Sequence, residues 1–259
     1  MNQENAINFI RQYGNPTDIA QLEWLLKQKK VSSTIFDDVF SHQRHDGGFA
    51  APWAVDYSSI DTTCHFLDQG KKFGLDSTYP VLGKATRFLL QNQQNNGRFS
   101  EADNVATSAP PWANPTTPGA DLYLTANAGF WLAMAPNTHE AAKDSAAYLK
   151  QKLDPTTSQL PSFLNTHWLA AGLFWLVDDQ ETAVLLINHL QERLPDLTAP
   201  NLAWLLDTLL TAGVPHDNKI IQSASQKLEG MQEENGRFPS PEGQIVHTTL
   251  TALSVLIIK

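Results

Sequence analysis

The sequence predicts an all-α fold: one domain, residues 1–259, of six helical hairpins closed into an (α/α)6 toroid. Three observations carry that expectation. Apolar residues recur at helical spacing along almost the whole chain, and strand-like alternation is scarce. The helical segments fall into pairs with a repeat of roughly 40 residues, as helical-pair repeats do. Within the pairs an amphipathic segment precedes one that is apolar on all sides.

The first pair is Gln3–Tyr13 with Pro16–Lys29, where Pro16 suits a first-turn position because its missing N–H would have no helical partner. The second pair is Ser33–His42 with Ser59–Gly74, and the third Val81–Gln94 with Ala120–Ala135. The fourth joins Thr138–Leu153 to Ser162–Val177, the fifth Gln180–Leu194 to Ala199–Ala212, and the sixth Asn218–Gln232 to Ile245–Ile258. First members such as "AAKDSAAYLKQKL" and "SASQKLEGMQ" carry charge on one face. Second members such as "THWLAAGLFWLV", "LAWLLDTLL" and "TTLTALSVLII" have no polar face and must be buried. An open stack of hairpins needs a polar terminal cap, yet the chain ends apolar in "VLIIK". Closure into a ring hides the second members inside the first.

The bulk numbers restrict the partners. A net charge of -9 with only 18 Lys and Arg argues against nucleic acid or an anionic membrane surface. The single cysteine, Cys64, excludes an internal disulfide framework and fits a reducing cytoplasm, the expected location. The N-terminus has no basic start followed by an apolar core, so no signal peptide is expected, and the longest apolar runs are too short to span a bilayer.

A turn motif recurs between paired helices: "SHQRHDGGF" ending at Phe49, "FLLQNQQNNGRF" at Phe99 and "LEGMQEENGRF" at Phe238. Glycine allows a backbone turn that residues with a β-carbon resist. The phenylalanines are expected to plug the space between neighbouring hairpins, and the glutamines to tie adjacent turns by hydrogen bonds. The motif, followed by an inner helix such as "HTTLTALSVL", resembles the prenyltransferase and squalene-cyclase repeat, with the fourth and fifth pairs degenerate. The resemblance spans about the whole chain and implies an α/α toroid.

In such a ring the N-termini of the inner helices gather at one mouth, entered by the long loops Gln43–Ser58, Asn95–Gly119 and Glu233–Gln244. Long loops on one face of a rigid scaffold carry function, and converging helix N-termini suit an anion such as diphosphate. The mouth should hold Asp56, Asp61, Cys64, His65, Asp121, Tyr123, Asn127, His167 and His247. Taken singly, Asp61 and Asp121 read as helix caps, and His167 and His247 as core histidines. Below them Phe66, Trp131, Trp168 and Trp204 would line an aromatic lumen able to hold a hydrocarbon and stabilise a carbocation.

The resemblance implies three chemistries. Protonation-initiated cyclases carry Asp-x-Asp-Asp-Thr with the middle Asp as acid. Here "SSIDT" keeps Asp61 and Thr62 but has Ser58 and Ile60 at the other acidic positions. The zinc prenyltransferase β subunits use an Asp-x-Cys pair and a later His-Thr. His247-Thr248 matches the second half, but Asp61 and Cys64 are spaced by three. The mouth carboxylates Asp46, Asp56, Asp61, Glu101, Asp103, Asp121 and Glu242, with Asp61 and Asp121 first, could instead hold Mg2+ against a prenyl diphosphate, with Arg44 on the phosphate. Zinc is the less favoured metal. The expected activity is that of a terpene synthase or cyclase, a lyase or isomerase, with Asp61, Asp121, His247 and Asp56 as catalytic groups. Tyr123, Asn127, Trp131, His167, Trp168, Trp204, Phe66 and Arg44 would bind the isoprenoid. The alternatives are a zinc prenyltransferase β-like protein and a non-catalytic toroid that binds an isoprenoid or a partner protein.

Overall fold

The computed structural model describes residues 1–257, which form twelve α-helices and one two-stranded sheet. In chain order these are α1 (Gln3–Tyr13), α2 (Pro16–Lys27), α3 (Ser33–Phe40), β1 (Phe49–Ala51), β2 (Ala54–Ser59) and α4 (Ile60–Lys72). Then follow α5 (Pro80–Asn92), α6 (Ala120–Met134), α7 (His139–Lys150), α8 (Leu164–Leu176) and α9 (Gln180–Arg193). The last three are α10 (Ala199–Thr211), α11 (Lys219–Glu229) and α12 (Ile245–Ile257). Each expected helix is present, shorter by a few residues at one or both ends of most. Ile258, the expected end of the last one, lies outside the described residues. No helix among the described residues is long and apolar enough to cross a membrane.

The departure from expectation is the β-hairpin inside the Gln43–Ser58 loop. Its strands pair antiparallel, Phe49 with Ser59 and Ala50 with Ser58, and the register breaks between Ala50 and Ala51. Strands this short give too few alternations to register as a pattern.

Local chemistry fixes several helix starts. Asn15 and Asp18 form a reciprocal capping box ahead of Pro16, Asn2 caps α1, and the Ser59 hydroxyl accepts from the N–H of Thr62 at the head of α4.

The helices form two compact units. In the unit Phe40–His189, α4, α6 and α8 pack side by side, with α5 and α7 against them. Helix α6 is buried from Leu122 to Phe130, and α8 from Thr166 to Phe174. In the other unit, Met1–Val39 with residues 190–257, α10 lies against α12 and α12 against α2, while α11 and α1 pack on them. Its core holds Ala6, Ile10, Leu22, Leu250 and Leu253.

The recurring turn is built the same way three times. Gly47, Gly97 and Gly236 have φ of 92°, 84° and 91°, the left-handed region that favours glycine. A β-carbon there would come within 2.5 Å of the Lys84 carbonyl oxygen, 2.1 Å of that of Asp144, and 2.2 Å of the Asn5 carbonyl carbon. Each turn therefore abuts a neighbouring helix: α5, α7 and α1 respectively. Gln43, Gln93 and Gln232 donate across the same seams, to the carbonyls of Val81 (2.7 Å), Ala141 (2.7 Å) and Asn2 (2.9 Å). Phe49, Phe99 and Phe238 have no exposed surface, which contributes about 1.5–3 kcal/mol each. Their N–H groups donate to the hydroxyls of Thr63 (3.0 Å), Thr125 (2.9 Å) and Thr249 (3.1 Å) on α4, α6 and α12. The last turn thus packs on α1, at the start of the chain.

Candidate functional site

The cap that starts α4 also presents Asp61 in its first turn. The carboxyl is half-buried, and both oxygens are engaged. Tyr123 Oη donates to Oδ1 at 2.8 Å from α6, and Trp112 Nε1 donates to Oδ2 at 3.0 Å from the loop ahead of α6. Asn127 Nδ2 reaches Tyr123 Oη at 3.4 Å, one helical turn further along. Burial raises the Asp61 pKa, and it outweighs the Tyr123 and Trp112 hydrogen bonds and the His65 charge, which all pull it down. The result is an acid that holds its proton more tightly than a free aspartic acid while its oxygens stay fixed in direction. His65, one turn along α4, is exposed, yet burial lowers its pKa against the pull of Asp68: the ring is reached by solvent and surrounded by protein.

Behind Asp61 lies a second carboxyl that the sequence placed only among the acids of the mouth. Glu101 is 2% exposed and accepts from Ser59 Oγ (2.6 Å), Tyr57 Oη (2.9 Å) and the N–H groups of Ile60 and Asp61 (3.2 Å each). It closes the N-terminus of α4, where the helix dipole favours a negative charge. Burial nonetheless raises its pKa, with the four hydrogen bonds working against that rise. Glu101 and Trp112 were not readable as members of this site. They approach α4 from positions 40 and 51 residues away, and the only signal was that both lie in one long loop.

The remaining predicted residues spread over several roles. Asp121 is held by Arg98 Nε at 3.0 Å and by Tyr148 Oη at 2.8 Å, and shares no donor with Asp61. Asp56 is exposed on β2, and Arg44 Nη1 donates to the Val55 carbonyl at 3.0 Å, pinning the hairpin. Phe66 stacks on Phe49 at 4.1 Å. Trp131 is half-buried and meets Phe130 edge-on at 5.4 Å, while Trp168 is fully buried. His167 Nε2 accepts from the Leu160 N–H at 3.1 Å, so Nδ1 carries the proton toward the Phe163 carbonyl at 3.2 Å. That pins the loop entering α8. In the other unit Trp204 is half-buried on α10, and His247 is exposed in the first turn of α12. In sequence position, Asp61, Tyr123 and His247 each stand two residues before the threonine that receives the phenylalanine turn.

The donor set for a metal is thin. Among the described residues no three His, Cys, Asp or Glu side chains converge, and Asp61 and Asp121 answer to different partners. Cys64 is buried and burial pushes its thiol pKa well up, which disfavours the thiolate that zinc requires.

No family model matches the sequence, and no curated protein is similar enough in sequence to match. Solved structures do match in three dimensions. A protein from Actinoplanes superposes with a TM-score of 0.64 at 15% identity, over 98% of this chain and 97% of that one. The type II terpene cyclase MstE from Scytonema, as a variant in complex with its substrate geranylgeranyl dihydroxybenzoate, gives 0.62 at 16% identity, over 98% and 95%. The same cyclase without ligand gives 0.61 at 15%, over 99% and 98%. At these identities the likeness is one of fold: the chain has a terpene cyclase-like helical fold.

Proposed function

We propose that this chain is a terpene cyclase-like enzyme in which Asp61 protonates a terminal alkene of an isoprenoid held in the aromatic lumen of an (α/α)6 toroid. The observation that carries the reading is the Asp61 carboxyl, whose pKa is raised by burial and whose two oxygens are fixed by Tyr123 and Trp112. Proton transfer to the alkene leaves a tertiary cation and the Asp61 carboxylate, which the two donors are placed to stabilise. An internal double bond closes on the cation, and loss of a proton at the end makes the reaction an isomerisation overall. The aromatic rings beside the acid, Tyr123 and Phe163 at 6.3 Å, suit a passing positive charge.

Three supports stand behind the wider picture. Each unit carries inner helices packed side by side. The Gly236 turn seats on α1 as the Gly97 turn seats on α7. MstE, nearly all of which this chain covers, is a type II terpene cyclase, so a chain of this length suffices for such an enzyme. The acid stands one position later than in the Asp-x-Asp-Asp-Thr pattern, at Asp61 in place of Ile60.

The test is product analysis by gas chromatography–mass spectrometry after incubation with prenyl diphosphates and prenylated aromatic acids, with Mg2+ and with EDTA. The expected products are cyclic, keep the head group, form in EDTA and vanish with Asp61→Asn. Products that have lost diphosphate and disappear in EDTA would replace this mechanism with metal-assisted ionisation at the mouth carboxylates. No product from any substrate would overturn the enzymatic reading.

A further inference from the structure

The unit of Met1–Val39 and residues 190–257 contains a cavity of about 620 Å3 where the end of α1, the start of α2, the Gly236 turn and the first turn of α12 meet. Phe9, Tyr13, Val246, Arg237 and His247 are among its lining residues.

Comparison of two repeats explains why Arg237 is available there. Arg98 and Arg237 both follow the glycine of their turns. Arg98 is neutralised by Asp121, which stands four residues before the receiving Thr125. In the last repeat the corresponding residue, four before Thr249, is Ile245. The inner helix therefore offers Arg237 no carboxylate. Its Nε turns instead to Glu233 in its own turn, at 2.6 Å, while Nη1 and Nη2 hydrogen-bond to no group among the described residues. The acid lining the cavity, Asp18, accepts from the Asn15 N–H in the capping box of α2. Glu233 fixes the guanidinium through one edge and leaves the two-pronged edge open. Because Glu233 offsets the net charge, recognition there rests on the fork, which matches carboxylate and phosphate oxygens in pairs. The rings of Phe9 and Tyr13, 4.8 Å apart, line the same cavity and supply apolar surface.

We propose that this cavity binds an organic oxyanion, its carboxylate or phosphate on the Arg237 fork and its apolar part against Phe9, Tyr13 and Val246. The site does not depend on Asp61 or on any turnover.

Isothermal titration of the full chain with decanoate, decyl phosphate and 1-decanol tests it. One or both anions should bind at least tenfold more tightly than the alcohol, and the tighter of the two assigns the head group. Arg237→Gln should weaken the anion by about 10- to 100-fold, the range for hydrogen bonds to a charged group. Val246→Trp, which fills the cavity and leaves Arg237 in place, should abolish binding. If Arg237→Gln fails to fold, Arg237→Lys, which keeps the charge and loses the fork, should still weaken binding. Equal affinity for the alcohol and the anions, anion affinity within twofold of wild type in the folded Arg237 variant, undiminished binding in Val246→Trp, or no binding at all would each overturn the proposal.

Discussion

Replacing Thr125 by valine isolates the bond on which the recurring turn depends. Thr125 is fully buried, and its hydroxyl accepts from the Phe99 N–H at 2.9 Å while donating to the Asp121 carbonyl at 2.6 Å. Valine keeps the side-chain shape, so little cavity term arises. The Asp121 carbonyl retains its place in the helical ladder, so the loss falls on the Phe99 N–H, beside a side chain with no exposed surface. An orphaned buried donor costs about 1–3 kcal/mol, and the extra buried methyl offsets under about 1 kcal/mol of it. The net expectation is roughly 1 kcal/mol, or a Tm lower by about 2–4 °C for a chain of this size. Thr125→Ser keeps the oxygen and loses one methyl, about 0.8 kcal/mol. Thermal unfolding of the three proteins, with hydrogen exchange at the Phe99 amide, measures the difference. If Thr125→Val is as stable as Thr125→Ser and the Phe99 amide stays equally protected, the Phe–Thr bond is not what holds the turn.

Other expectations follow from the same geometry. Gly97→Ala should destabilise by more than about 2 kcal/mol, since it combines left-handed strain with a β-carbon 2.1 Å from the Asp144 carbonyl oxygen. Gly213→Ala, at φ 85° with open space around it, should show the strain alone, and urea unfolding that fails to separate the two would remove the packing argument. In the proposed mechanism the protonated form of Asp61 is the active one, so product formation should be flat at low pH and fall as pH rises through its raised pKa. Trp112→Phe deletes a donor that favours the carboxylate, so that falling limb should move upward by about one to two pH units; a downward move would refute the assigned role. Asp61 binds its proton more tightly folded than unfolded, so its contribution to stability declines as pH rises from the ordinary carboxyl pKa through the raised one. Wild type minus Asp61→Asn, compared by denaturation between pH 3 and 8, should show that decline.

The sequence by itself determined the order of the twelve helices, their bounds to within a few residues, and the glycine turns, because all are local. Helical periodicity is read within a few turns, and a left-handed glycine needs only its own backbone freedom. It also flagged Asp61, Tyr123 and Asn127 as facing one mouth. Whether they touch was decided by tertiary structure, since Tyr123 reaches Asp61 across 62 residues and Trp112 across 51. The same holds for Glu101, whose loop is folded back so that its carboxylate closes the α4 N-terminus. The β-hairpin at Phe49–Ser59 was lost to sequence reading for the opposite reason: its signal was local but too short. Asp121 and Arg237 show the limit most plainly. Each is a charged residue at a repeat position, and only the fold decided that Asp121 would be held by Arg98 while Arg237, with Ile245 at the repeat position where a carboxylate would have stood, kept an open edge. A side chain's own chemistry is written in the sequence; how much of it is already used by neighbours distant along the chain is set by the fold.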